Sequence, residues 1–257
     1  MDGIKALAFD TGGTILDWHS GIVAALAKAG ARRGVAADWH AVANDYRRNS
    51  LRRMLGSVDP GFTIDWVHRV VLDEILPAHG LAALSGDERD AIVRQWHALE
   101  AWPDFLPALE SLRRRFACVS FTILSLSLVI DVSRRNGIVW DAVIACEMLR
   151  VYKTQPEAYR RAAAHLALRP DEILMVACHN FDLDSARREG YRTAFVRRPQ
   201  SGARLARPIR RRTRPVTSSS MVSPNLPAHW FDNRSVLARR LPARIGQKPT
   251  RPRRQVR

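Results

Sequence analysis

The sequence predicts an α/β protein: a parallel sheet with crossover helices, interrupted after its first strand by an all-helical insertion. Three observations carry this. Residues 4–9 are apolar apart from Lys5, as in a strand buried on both faces of a parallel sheet. Residues 18–100 show one helical pattern after another and no convincing strand. From residue 101 onward, helical patterns alternate with short apolar runs, the order of a βαβ chain.

The elements follow in order. After the first strand comes the turn Asp10-Thr11-Gly12-Gly13-Thr14. Ser20 is a cap candidate for a helix through "GIVAALAKAGARR", stopped by Gly34. "DWHAVANDYRRNSLRRML" reads as a helix ending at Gly56, and "IDWVHRVVLDEIL" as another stopped near Pro77. "GDERDAIVRQWHALE" is a fourth, capped by Ser85 or Asp87. The chain holds seven tryptophans, several in this insertion, and they read as its core. Beyond it, "DFLPALESLRRRF" leads into a strand at "ACVSFTIL", and a helix around "VIDVSRRN" leads into "DAVIAC". "PEAYRRAAAHLAL" leads into "EILMVAC", and "DLDSARREG" into "RTAFV". The organisation is therefore a core of residues 1–17 and 101–198, a helical cap over 18–100, and a tail over 199–257.

The tail differs sharply in composition. It holds 15 Lys+Arg and one acid, Asp232, which is +14 of the chain's +16, and eight of the fourteen prolines. Such a segment buries too little apolar surface to offset its ordering entropy, so disorder is expected. Nucleic-acid or anionic-membrane binding through counterion release and a localisation tail are two readings of it. A third, which the Arg, Pro, Ser and Ala bias favours, is out-of-frame translation of a GC-rich gene. The rest of the chain is nearly neutral. No run approaches the roughly 18 apolar residues of a membrane span, and no signal-peptide pattern opens the chain. Three scattered cysteines suggest neither disulfides nor zinc, and a reducing cytoplasm is expected.

Ligands of such sheets bind beyond the carboxyl ends of the strands. That rule gathers Asp10, Ser125, the segment before Lys153, and residues 178–182 at one edge. Each has a structural alternative. Asp10 is a common turn residue, Thr14 or Asp182 a helix cap, Lys153 a surface charge, and "RRNSLRR" a solvated helix face.

Four motifs in order resemble the haloacid dehalogenase superfamily: Asp10 to Thr14 as Asp-x-x-x-Thr, Ser125 in "TILSLS", Lys153 in "RVYKTQPEAY", and the acidic loop "ACHNFDLDSA". The resemblance covers roughly residues 4–198 and implies a Rossmann-like core with a helical cap. Within it, "VYKxxPEAY", "WPDFLPALESLRRRF" and "RTAFVRRP" resemble the type II 2-haloacid dehalogenases. That branch implies Asp10 as nucleophile, with Thr14, Ser125, Lys153, Tyr159 and Asp182 as polar site residues. Arg47 in "NDYRRN" matches the cap arginine that receives the leaving halide, with Arg48 as the alternative register. The implied reaction displaces halide from a short 2-haloacid through an aspartyl ester, giving a 2-hydroxy acid. Lys153 keeps Asp10 ionised, since two unit charges ~4 Å apart at an effective dielectric of ~20 attract by roughly 4 kcal/mol. The turn amides of Thr11 and Gly12, with Ser125, bind the substrate carboxylate or an oxyanion, and Asp182 with His179 handles the hydrolytic water. No cofactor is implied, and a homodimer is usual in that branch.

The chain departs from the branch at Gly12, Leu126, Ala177 and His179, which implies a different pocket wall and water site. The superfamily's phosphatases offer a rival function with Mg2+. They carry a second Asp two residues after the nucleophile, where this chain has Gly12, which cannot transfer a proton. A third reading makes the core a degraded scaffold for a basic nucleic-acid-binding tail.

Overall fold

The computed structural model describes residues 2–198. The expectations of disorder and of a frameshift attached to 199–257 lie outside the described residues.

Five parallel strands form one sheet in the order β3-β2-β1-β4-β5. They are β1 (Ala6–Phe9), β2 (Ala117–Thr122), β3 (Ala142–Ala145), β4 (Ile173–Ala177) and β5 (Arg192–Phe195). β1 lies at the centre, and all four of its residues are buried, which explains its continuous apolar run. It pairs Phe9 with Ser120 of β2 on one side and with Val176 of β4 on the other. The Asp10 N–H then donates to the Val176 carbonyl at 2.9 Å, so the β1–β4 ladder reaches the first residue of the turn. The chain leaves β1 for β2 on one side and β4 on the other, which is the crevice position for ligands.

Four helices separate β1 from the rest: α1 (Trp18–Arg32), α2 (Trp39–Met54), α3 (Ile64–Ile75) and α4 (Gly86–Arg94). The cap of α1 is Asp17, whose side chain accepts from Ser20 N–H, so Ser20 sits in the first turn and is not the cap expected of it. Asp38 and Thr63 cap α2 and α3 in the same way. Ser85 and Glu88 form a reciprocal capping box at α4. α3 buries Ile64, Val67, His68, Val71, Leu72 and Ile75, a stripe of helical period that includes a histidine. Trp66 lies off that stripe, 51% exposed against Phe62, so it is not core as expected. Trp18 and Trp96 are core, stacked with centroids 6.2 Å apart.

The crossover helices are α5 (Phe105–Arg113), α6 (Leu126–Asn136), α7 (Cys146–Leu149), α8 (Pro156–His165) and α9 (Asn180–Arg188). β2 ends at Thr122, short of the expected apolar run, because Ser125 turns the chain and caps α6 by accepting from Leu128 N–H.

Candidate active site

The turn after β1 is held from several sides. Gly13 has φ +94°, a conformation that favours glycine. The Gly13 carbonyl accepts from Trp102 Nε1 at 3.0 Å, and the Thr14 carbonyl from Arg198 Nε at 2.9 Å. Arg198 also forks onto Asp104 and lies over the Trp102 ring. The Thr14 hydroxyl donates to Asp10 Oδ2 at 2.7 Å and accepts from Cys178 N–H, which ties the turn to the end of β4. The Thr11 hydroxyl faces Ser120, 2.8 Å away, and not a substrate space. The amides of Thr11 and Gly12 donate no hydrogen bond among the described residues.

Lys153, only 1% exposed, links two carboxylates. Its Nζ lies 2.7 Å from Asp182 Oδ2 and 3.6 Å from Asp10 Oδ1, and donates to the Phe121 carbonyl at 2.8 Å. Tyr159 donates to the other oxygen of Asp182 at 2.7 Å. Burial alone would suppress the ammonium, but Asp182 and Asp10 outweigh it and raise its pKa. Burial, with Asp10 adding to it, pushes the Asp182 carboxyl upward. Asp10 moves the other way: burial opposes its charge, yet Lys153, His179 and Thr14 hold it well below the usual carboxylate range. Of two carboxylates sharing one ammonium, Asp10 is therefore the firmly ionised one.

His179 Nδ1 lies 3.0 Å from Asp10 Oδ2. Burial would lower its pKa, but the bond to Asp10 raises it to about 10, so the ring is an imidazolium at neutral pH. Its Cys178 neighbour lies 3.6 Å from the ring, and Phe181 stacks on it. Asp10 Oδ2 thus carries two hydrogen bonds. Oδ1 accepts none among the described residues and lies 3.6 Å from Lys153 Nζ.

Across from this floor, α2 supplies Arg47, 5% exposed. It lies over Trp18 and Trp96, 5.6 and 5.5 Å from the ring centroids. A Cβ on Gly12 would lie 3.2 Å from its Nη2. Arg48 instead pairs with Asp45 on the exposed side of the helix, so the register favours Arg47 at the site. Burial lowers the Arg47 pKa to about 10, against the pull of Asp10. Arg47 Nη1, Asn44 Nδ2 and both ring nitrogens of His68 are buried without a hydrogen-bond partner among the described residues. His68 stacks on Trp96 at 4.1 Å. Burial, then Arg47, lowers its pKa to about 3, so it is neutral.

Ser125 makes no hydrogen bond to Asp10 among the described residues. Its hydroxyl donates to Asp65 Oδ2 of α3 at 3.1 Å, and Asp65 continues through His97 to Asp131 of α6. The sequence reading missed His68, Asp65, Trp18 and Trp96 as neighbours of the site. A histidine inside the apolar stripe of α3 was the available signal for His68.

The family model for haloacid dehalogenase-like hydrolases matches residues 4–187. The chain belongs to this family. As a haloacid dehalogenase-like hydrolase, it is 26% identical over 213 residues to (S)-2-haloacid dehalogenase 4A of Burkholderia cepacia, covering 77% of this chain and 85% of that one. Among solved structures it resembles the defluorinating L-2-haloacid dehalogenase Rha0230, with 34% identity and a TM-score of 0.73 over 79% of this chain and 86% of that one. The L-2-haloacid dehalogenase PA0810 is similar at 28% identity and a TM-score of 0.71, over 79% and 88%.

A divalent ion fits this hydrolase's donor set poorly. Asp10 and Asp182 already share the Lys153 ammonium, and His179 and Arg47 add positive charge beside them. Asp184, the next acid along, is exposed and paired with Arg187. A hard cation prefers several oxygens free of competing cations. What the arrangement supports is attack by a carboxylate, with positive charge on either side of it.

Proposed function

We propose that this chain is a 2-haloacid dehalogenase. One observation supports this above the others: Asp10 is held ionised, and among the described residues its Oδ1 accepts no hydrogen bond while the buried Arg47, close enough to feel its charge, keeps an N–H group without a partner. A carboxylate oxygen without hydrogen bonds keeps its lone pairs available for attack. Oδ1 attacks C2 of the substrate, the carbon–halogen bond breaks, and the halide leaves toward Arg47. The Thr11 and Gly12 amides receive the substrate carboxylate. Water then hydrolyses the ester at Cγ of Asp10, releasing the 2-hydroxy acid. The helices of residues 18–100 act as the cap that brings Arg47 to the site and excludes water. The (S)-2-haloacid names of similar proteins support (S)-2-chloropropionate as the substrate to try first. The free cysteines support a reducing, cytoplasmic setting.

The test is halide release from (S)-2-chloropropionate, with and without chelator, beside Mg2+-dependent release of phosphate from a phosphate ester. We expect chelator-insensitive halide release that falls by at least roughly 10^4-fold in Asp10→Asn. Phosphate release without halide release would overturn the proposal.

A further inference from the structure

We propose that His179 and Thr14 form the oxyanion-binding pair for hydrolysis of the ester on Asp10. The inference rests on the aspartyl-ester reading above and assigns the second half of that reaction to named donors.

The two oxygens of the Asp10 carboxylate are not equivalent. Thr14 Oγ and His179 Nδ1 lie 2.7 and 3.0 Å from Oδ2, while Oδ1 accepts no hydrogen bond among the described residues. Attack through Oδ1 makes Oδ2 the carbonyl oxygen of the ester. When water adds to Cγ, the carbonyl π pair moves onto Oδ2, and that atom becomes the oxyanion. It already faces two donors at oxyanion-hole distances. The adduct then collapses. The Cγ–Oδ1 bond breaks, Oδ1 departs as the hydroxyl oxygen of the product, and the water oxygen takes its place on Asp10. One proton of the water goes to the departing alkoxide and the other to solvent, so the carboxylate is restored.

These two donors act oppositely on the two half-reactions. In the first, they stabilise a carboxylate that must give up charge, which does not help attack. In the second, they face a neutral ester in the ground state and an oxyanion in the transition state. Only an interaction stronger in the transition state accelerates a step. The pair thus favours hydrolysis over alkylation. Asp182 is less suited to this step, because Lys153 and Tyr159 each hold one of its oxygens.

The His179 contact uses Nδ1, which stands two bonds beyond Cβ. The Nδ2 of an asparagine stands at the same place and also carries N–H, but it cannot accept a proton from water. His179→Asn therefore keeps an oxyanion donor and removes any base, whereas His179→Leu removes both.

Rapid-quench halide release and intact-mass analysis with (S)-2-chloropropionate test this. His179→Leu should release about one halide per site at close to the wild-type rate, then turn over roughly 10²–10³-fold more slowly. Its Asp10 should accumulate one carboxyethyl ester. His179→Asn should hydrolyse that ester within about tenfold of wild type. Equal slowing in both variants would assign His179 as a base and overturn the proposal. An unchanged hydrolysis rate, or a lost halide burst in folded His179→Leu, would overturn it as well. Absence of halide release from the wild-type chain would overturn the underlying dehalogenase reading, and this proposal with it.

Discussion

At the strand ends, Asp10, Lys153, Asp182 and Tyr159 are buried and bonded to one another in a chain. On α2 and α3, by contrast, Arg47 Nη1, Asn44 Nδ2 and both nitrogens of His68 are equally buried and have no hydrogen-bond partner among the described residues. The first region is held by charge, the second by stacking on Trp18 and Trp96. A buried polar atom without a partner costs about 1–3 kcal/mol, so a protein keeps several together only where something else needs them. On the proposed function the difference separates two duties: the floor holds its charges ready, and the roof holds donors in reserve for an incoming anion.

Substitutions can break this contrast. The largest effect is expected for Lys153→Met, which leaves two buried carboxylates facing each other. Unfolding in urea should show a loss of about 3–5 kcal/mol, with halide release abolished. Stability close to wild type would show that the floor is not held by charge. Arg47→Met should behave differently. It keeps apolar volume against the tryptophans and removes a desolvated guanidinium. Unfolding free energy should stay within about 1 kcal/mol of wild type, while halide release falls by roughly 10²-fold. A stability loss as large as that of Lys153→Met would erase the distinction between floor and roof. Gly12→Ala gives the smallest effect. Its Cβ would press on Arg47 Nη2 at 3.2 Å, which should lower kcat/KM by roughly tenfold or less and leave stability within about 0.5 kcal/mol. A larger loss of stability would place the cost in the turn and not in Arg47.

The sequence made the strand order of events and the floor legible because both are local signals. The apolar run of β1 ends at Asp10, and Lys153 and Asp182 follow their strands at short distance. Contacts between distant segments were not legible. Thr11 meets Ser120 and Ser125 meets Asp65 across 109 and 60 residues, and no periodicity reports such pairs. The cap of α1 was misplaced because Ser20 and Asp17 are both good capping residues, and only the backbone decides which lies outside the helix. Trp66 was misjudged because composition cannot tell which face of α3 a tryptophan occupies. Arg47 was expected at the site, but its neighbours escaped for a related reason: His68 and Trp96 come from separate helical segments, and their stacking is a property of the fold alone.

The grip on the turn carbonyls by Trp102 and Arg198 has a consequence for how this chain can be altered. Arg198 holds the turn from the last of the described residues, and the shift to a Pro- and Arg-rich composition begins at the next residue. A change at Trp102 or Arg198 therefore reaches Asp10 through the turn backbone, without touching the carboxylate itself. A graft boundary set before Arg198 releases the Thr14 carbonyl.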